Sequence, residues 1–276
     1  MKVRILTSIG IAAFGIPVLL LSNYIVYPIA VTLFALVAIY EMMGVTGFRR
    51  RLAVAVPSYF LAIALPMGAY FSAKALTVYA VTTLFTVIGY MLYLFGYAVI
   101  KRTKVLFSDI ASHFTTTVYI VLSFSALALV RYIPNGVYYF GLVFVASWVC
   151  DVFAYFVGRA IGRHKLIPEV SPKKTVEGAI GGVVCTTLCF ALYGYIITLF
   201  EASPAPNYLI LLILGFVLSI VAQFGDLIAS LIKREHGIKD YGVIFPGHGG
   251  VLDRFDSILA VAPILLAICI FFPPFA

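Results

Sequence analysis

Apolar runs long enough to cross a lipid bilayer follow one another along most of this 276-residue chain. Only 11% of the residues are charged, whereas a soluble domain carries roughly 25%, so a sizeable water-facing domain is excluded. A spanning helix needs about 20 mostly apolar residues, so we predict an all-α integral membrane protein of about nine transmembrane helices. The predicted spans are residues 3–22, 24–42, 53–73, 76–99, 107–130, 137–158, 178–200, 208–232 and 251–272.

The basic residues predict the orientation of these spans. If the amino terminus is cytoplasmic, all of the 19 Lys and Arg residues except Lys74 and Arg131 lie in cytoplasmic segments. The positive-inside rule then predicts a cytoplasmic amino terminus and, with an odd number of spans, a carboxyl terminus outside. We expect a multi-pass protein of the cell (inner) membrane. The same distribution explains the net charge of +8 without a nucleic-acid partner.

Polar residues are distributed unequally along the chain. The first five predicted spans look like plain scaffold, whereas the last four carry nearly all the polar residues that invite a functional interpretation. We therefore predict an amino-terminal transmembrane scaffold at 1–136 and a carboxyl-terminal catalytic domain at 137–276. The predicted inner loops 159–177 and 233–250 are long, and long loops in a compact protein are usually functional or disordered.

Carboxylates near the predicted cytoplasmic ends of helices form the first candidate site. These residues are Asp151, Asp226, Asp253 and Asp256. A carboxylate at membrane depth is a functional candidate, although one that simply reaches interfacial water is the alternative. Asp253 and Asp256 share a helix face in the first turns of the last span, where the helix dipole favours negative charge. Asp226, Ser230 and Lys233 follow one polar stripe, and carboxylate oxygens without a His or Cys cluster suit Mg²⁺.

A glycine-rich turn before the last span suggests phosphate binding. Gly247, His248, Gly249 and Gly250 precede the predicted helix start. Glycines let backbone N–H groups approach a ligand closely, and such a turn at a helix start can bind an anion. Basic residues flank this turn, so we predict a triphosphate cradle here. They are Lys233, Arg234, Lys239 and Arg254.

The other inner loop has a similar character. Arg159 lies near its start, and Ser171, Lys173, Lys174 and Thr175 lie near its end. Thr175 can cap the next helix, which would place both lysines beside the positive end of that helix. The alternative is an anchor that contacts anionic lipid headgroups.

Residues 230–256 resemble the signature of the phosphatidate cytidylyltransferase family without departure, and the resemblance extends over roughly residues 140 to 275. The segment from Asp151 to Gly182 resembles the same family. The matching signature residues are Ser230, Lys233, Arg234, Lys239, Asp240, His248, Gly249, Gly250, Asp253, Arg254 and Asp256.

The resemblance implies transfer of CMP from CTP to phosphatidic acid, giving CDP-diacylglycerol and pyrophosphate, in a homodimer. It implies dependence on Mg²⁺ held by Asp226, Asp253 and Asp256, and a second, monovalent cation such as K⁺. The expected catalytic residues are these three together with Lys233, Arg234, Lys239, Asp240, His248 and Arg254. The expected substrate-binding residues are Asp151, Arg159, Ser171, Lys173, Lys174, Thr175, Ser230, Gly249 and Gly250.

This chemistry is consistent with the residue types. The attacking phosphate oxygen is already anionic, so positioning and charge neutralisation by metal and basic groups address the main barrier. A polyprenol or phytol kinase, which should lack the complete signature, and a CDP-archaeol synthase, which differs in its lipid, remain alternatives. A secondary transporter would favour repeats and broken helices at mid-membrane, whereas the polar residues here cluster at one end.

Overall fold

The computed structural model describes residues 17–18, 21–22, 24–72, 75–200, 204–247 and 249–275, and within them eight helices are long and apolar enough to cross a membrane. Eight of the predicted spans are therefore confirmed with similar bounds, whereas the run 3–22 falls largely outside the described residues. The count of nine and the orientation stay predictions. The helices are α1 (Val26–Val45), α2 (Leu52–Phe71), α3 (Leu76–Ile100), α4 (Phe107–Tyr132), a fifth span (Gly136–Ile161), α7 (Val176–Phe200), α8 (Tyr208–Glu235) and α9 (Leu252–Phe271).

The fifth span is not a uniform α-helix. It consists of α5 (Gly136–Phe144), a π-helical segment (Val145–Val149) and α6 (Cys150–Ile161). Single π-turns of this kind interrupt α-helices and often lie near functional sites. The segment here ends two residues before Asp151.

A short β-hairpin follows α6 and corrects the prediction of an all-α protein. Strand β1 (Lys165–Ile167) pairs antiparallel with β2 (Ser171–Thr175), with Lys165 opposite Thr175 and Ile167 opposite Ser171. The sequence did not indicate these strands, because β2 reads Ser-Pro-Lys-Lys-Thr and lacks the apolar alternation of a half-buried strand. The hairpin gives the predicted lysine loop a defined backbone.

Contacts group the described residues into two compact units. The first contains the described residues up to Leu129 together with Asp240–Arg254, and the second contains Val130–Lys239 together with the described residues from Phe255 onward. The helix α9 begins in the first unit and continues in the second. These two units are defined by contacts and not by function. The division into a scaffold at 1–136 and a catalytic part at 137–276 stays a prediction.

A hydrogen-bonded polar cluster lies in the core of the first unit. The fully buried His113 of α4 has Nε2 3.0 Å from Ser58 Oγ of α2 and Nδ1 3.3 Å from Thr46 Oγ1. Tyr90 Oη of α3 lies 2.8 Å from the same serine hydroxyl. Both ring nitrogens have partners, so the buried histidine is satisfied and links helices within this unit.

Glycines set the spacing between helices in the second unit. A Cβ on Gly178 would lie 2.5 Å from the carbonyl oxygen of Ala154, and one on Gly215 would lie 2.8 Å from Thr187 Cα. Only glycine allows the backbones of α6, α7 and α8 to approach this closely, as at other packed membrane helices. This close packing fixes the helices from which the second unit's candidate site residues project.

Candidate active site

Glu177, in the first turn of α7, closes the loop that carries the hairpin. Its carboxylate accepts the backbone N–H groups of Arg163 (3.1 Å) and His164 (3.2 Å), and the imidazole Nδ1 of His164 lies 2.6 Å from Oε1. Thr175 Oγ1 accepts the N–H of Gly178 at 3.2 Å, which confirms the predicted helix cap. The two ends of the hairpin are thereby held at the start of one helix.

The hairpin presents its two lysines differently. Lys173 is exposed, whereas Lys174 Nζ is shielded from solvent and forms an ion pair with Asp226 Oδ2 of α8, without the geometry of a hydrogen bond. Ser171 is half-buried at the start of β2. The structure therefore brings Lys174, and not Lys173, into contact with a predicted metal ligand.

The polar stripe predicted on α8 is present. Ser230 Oγ donates a weak hydrogen bond of 3.4 Å to Asp226 Oδ1, and Lys233 lies in the last turn of the helix. Arg234 donates from Nε to the carbonyl oxygen of Val170, at 3.4 Å, in the turn of the hairpin. The carboxyl-terminal part of α8 therefore contacts the hairpin through both Asp226 and Arg234.

Asp256 lies close to this group. A Cβ on Gly225 would come within 2.8 Å of the carbonyl oxygen of Asp256, so α8 and α9 are in close backbone contact one residue before Asp226. Asp226, Asp151 and Lys233 are the charged groups that act electrostatically on Asp256. The second unit thus brings carboxylates and a basic side chain of α6, α8 and α9 near one another.

Asp253 belongs to the first unit and binds the turn that precedes it. Its Oδ2 accepts the N–H of Tyr241 at 2.8 Å and that of Gly250 at 2.9 Å. Gly249 has a φ of 87°, which lies in the left-handed region that favours glycine. The backbone of Gly249 and Gly250 therefore lies against the carboxylate of Asp253.

The carboxylates are suitable donors for Mg²⁺, because this ion prefers oxygen ligands. Asp226 and Asp256 fit that chemistry within the second unit, where the ammonium group of Lys174 contacts Asp226. Among the described residues, no group of three or more His, Cys, Asp or Glu side chains is arranged to hold a metal ion. The predicted three-aspartate metal site stays a prediction.

The remaining predicted residues lie at the surface or outside the described ranges. Arg159 contacts Tyr155 Oη of its own helix at 3.2 Å. His248 falls outside the described residues. Those exposed on the surface are Asp151, Lys239, Asp240 and Arg254.

Glu41 of α1 is a residue that the sequence analysis missed. It is the only acidic residue in the predicted span 24–42, and its carboxylate accepts N–H groups at the start of α9. A carboxylate inside an apolar run is a functional candidate by the argument applied to the aspartates. The signal for it in the sequence is this single carboxylate within an apolar run of the predicted scaffold.

Comparison with known proteins places the chain in a class. The model of the cytidylyltransferase family matches residues 2–272, and the chain belongs to this family. It is therefore an enzyme of the nucleotidyltransferase type, which confirms the resemblance found in the sequence.

Individual relatives carry a narrower name. The phosphatidate cytidylyltransferase of Staphylococcus haemolyticus is 35% identical over 265 residues, covering 96% of this chain and 97% of the relative. The phosphatidate cytidylyltransferases of Staphylococcus saprophyticus, at 35% over 270 residues, and Staphylococcus aureus, at 34% over 265 residues, match over the same shares of both chains.

Proposed function

We propose that this protein transfers CMP from CTP to phosphatidic acid and releases pyrophosphate, giving CDP-diacylglycerol for phospholipid synthesis. The observation that carries the proposal is the similarity, over nearly the whole of both chains, to relatives named phosphatidate cytidylyltransferase. The spanning helices support it as well, because phosphatidic acid is a membrane lipid.

In the proposed reaction an anionic phosphate oxygen of phosphatidic acid attacks the α-phosphorus of CTP. The bond from that phosphorus to the oxygen bridging it to the β-phosphate breaks, and pyrophosphate leaves with the electron pair. The nucleophile carries no proton that must be removed, so no strong general base is required. The task of the protein is to hold two negatively charged substrates together and to stabilise charge on the leaving group.

Basic side chains at the hairpin and at the end of α8 are suited to this task. Lys173 is exposed beside β2, and Lys233 and Arg234 lie in the last turn of α8. Charge-assisted hydrogen bonds from such groups to phosphate oxygens are among the strongest in proteins. In the proposed complex they bind CTP phosphates and neutralise the charge that develops on pyrophosphate.

The carboxylates hold the proposed Mg²⁺. Asp226 and Asp256 are its ligands within the second unit, and Asp253 is the third carboxylate of the sequence prediction. The ion, when bound, would neutralise phosphate charge and orient the reacting groups. Lys174 contacts Asp226, so the ammonium group and the bound ion would share this carboxylate. The proposed monovalent cation, such as K⁺, has no assigned ligands.

The location of the protein is also part of the proposal. We place it in the cell (inner) membrane with the active site facing the cytoplasm, where CTP is made, and we expect a homodimer. The support for this side is the excess of basic residues in the predicted cytoplasmic segments.

Purified protein with CTP, Mg²⁺ and phosphatidic acid tests the proposal directly. We expect equal amounts of CDP-diacylglycerol and pyrophosphate, with no product when Mg²⁺ is chelated. Parallel reactions with an ether-linked archaeal lipid phosphate, a polyprenol and phytol separate the related enzymes. Phosphorylation of an alcohol, or transfer only to the ether lipid, would contradict the proposed substrate.

A further inference from the structure

Glu41 is a carboxylate held inside an apolar helix. Glu41 is only 5% exposed, and no other acidic residue occurs in α1. A buried charge at membrane depth is costly unless hydrogen bonds compensate it. The contacts of this carboxylate therefore indicate what it does.

Both oxygens of Glu41 accept backbone N–H groups at the beginning of α9. The N–H of Val251 donates to Oε1 and the N–H of Leu252 donates to Oε2, each at 2.9 Å. The first N–H groups of a helix have no partner within the helix, and negative charge there is stabilised by the helix dipole. Glu41 thus supplies the anion for a helix start that lies 210 residues further along the chain.

Two glycines allow the carboxylate to reach this position. A Cβ on Gly242 would lie 2.8 Å from Glu41 Cδ, and a Cβ on Gly250 would lie 2.5 Å from it. Any other residue at these positions would push the carboxylate or the turn away. The glycines of this segment therefore serve contact with Glu41 as well as the backbone conformation of the turn.

Asp253 also binds backbone N–H groups of the segment that Glu41 contacts. Its Oδ2 accepts the N–H groups of Tyr241 and Gly250, while Glu41 takes those of the next two residues. Three consecutive N–H groups, from Gly250 to Leu252, are therefore bound by carboxylates of the protein. Gly249 and Gly250 remain predicted substrate contacts, but these three N–H groups already have acceptors.

We propose that Glu41 is a positioning residue for the transfer reaction. It fixes the first turn of α9, and through that turn it sets the orientation of Asp253 and Arg254. This role rests on the proposed function, because both residues belong to the predicted catalytic set. Glu41 itself does not contact the reacting atoms.

The test compares Glu41→Gln with the wild-type protein in two measurements. Gln keeps the size of the side chain but replaces one acceptor oxygen with an NH₂ group that faces a backbone donor. Hydrogen exchange followed by mass spectrometry reports protection of the segment 241–252, and steady-state kinetics report kcat and the KM for each substrate. Asp109→Asn is the matched control, since Asp109 is an exposed acid at the start of α4 in the same unit.

We expect Glu41→Gln to exchange faster only in segment 241–252 and to lose roughly 10- to 100-fold in kcat, with both KM values nearly unchanged. Gly242→Ala should reproduce this pattern by displacing the unaltered carboxylate, which covers the case in which Glu41→Gln does not fold. An unchanged kcat in these variants would overturn the role of Glu41. Loss of protection from hydrogen exchange throughout the helices of both Glu41→Gln and Gly242→Ala would overturn it as well. An inactive wild-type protein would instead overturn the proposed function, and the positioning role of Glu41 in the transfer reaction with it.

Discussion

Lys174 of the β-hairpin forms an ion pair with Asp226 of α8. The lysine is one of the predicted CTP ligands, and the aspartate is one of the predicted metal ligands. If Asp226 holds the proposed Mg²⁺, the ammonium group and the ion would compete for one carboxylate, and the phosphates of CTP would attract both cations.

Lys174→Gln should therefore affect metal binding and catalysis in opposite directions. Without the ammonium group, Asp226 is freed for Mg²⁺, so the ion should raise the melting temperature of the variant at lower concentrations than in the wild type. The apparent KM for CTP should rise, or kcat should fall, by roughly 10- to 100-fold because a charged hydrogen bond to phosphate is lost. Thermal melts across a Mg²⁺ titration and CTP saturation curves measure the two effects.

The control for this variant is Lys101→Gln, which replaces an exposed lysine that follows α3. It should leave both the Mg²⁺ dependence of the melting temperature and the kinetics with CTP unchanged. If Lys174→Gln responds to Mg²⁺ and CTP as the wild type does, the interpretation of the ion pair is wrong. Lys174 would then have no part in binding CTP, and the alternative of an anchor at the membrane surface would gain support.

Asp226→Asn and Asp256→Asn test the proposed metal ligands. Asn keeps the size of each side chain but removes its charge, so each variant should fold and lose at least about 100-fold in activity if the carboxylate holds Mg²⁺. Glu235→Gln, at the exposed end of α8, should retain full activity. Full activity in both Asn variants would instead support simple interfacial carboxylates, for which removal of charge is neutral or stabilising.

Glu177→Gln should loosen the hairpin. The variant loses charge-assisted bonds to the N–H groups of Arg163 and His164, so residues 163–175 should exchange hydrogen faster. Because Lys174 lies on that hairpin, kcat/KM for CTP should fall by about 3- to 30-fold. Glu169→Gln removes an exposed carboxylate from the hairpin turn and should change neither measurement. Equal effects of the two substitutions would show that the change in net charge, and not the loss of the hydrogen bonds to Glu177, is responsible.

Gly225→Ala should separate the two helices that carry Asp226 and Asp256. Its Cβ would lie 2.8 Å from both the carbonyl oxygen of Asp256 and Cβ of Ala260, and overpacking of this kind costs about 1–3 kcal/mol. Gly89→Ala has no atom within 4 Å of its new Cβ and should be neutral or stabilising by up to about 1 kcal/mol. Reversible unfolding in detergent gives both values, and equal stabilities would contradict the close contact of α8 with α9.

The predicted orientation can be tested by labelling single cysteines. In a background without the four native cysteines, probes near Arg50, Lys104 and Lys165 should react with a membrane-impermeant reagent only from the cytoplasm. A probe near Ala205 should react only from outside. Reaction of both sets from the same side would overturn the topology derived from the basic residues.

The sequence predicted those features that depend on neighbouring residues. Apolar run length predicted the eight spans found among the described residues, and a hydroxyl before a helix predicted the cap at Thr175. Four-residue spacing predicted that Asp226 and Ser230 lie on one stripe of their helix, where they are hydrogen-bonded. Each of these depends on local geometry, which is the same in any protein that contains the pattern.

Contacts between distant segments could not be predicted in the same way. Nothing in the spacing of the chain indicates that Glu41 meets Val251, or that Lys174 rather than Lys173 contacts Asp226. These pairings depend on how helices pack, which is set by many small steric contacts such as those at Gly215 and Gly225. The hairpin was not predicted because β2 lacks apolar alternation; the loop that carries it is instead held by Glu177 of the next helix.

The π-helical segment within the fifth span changes the direction in which the side chains of α6 point. A π-turn contains one residue more than an α-turn, and one residue corresponds to about 100° of rotation around a helix axis. The side chains of α6 are therefore turned by about that angle from where α5 would place them if it continued without interruption. Asp151 and Arg159 consequently occupy a different azimuth from the one that a helical wheel drawn from Gly136 would assign them.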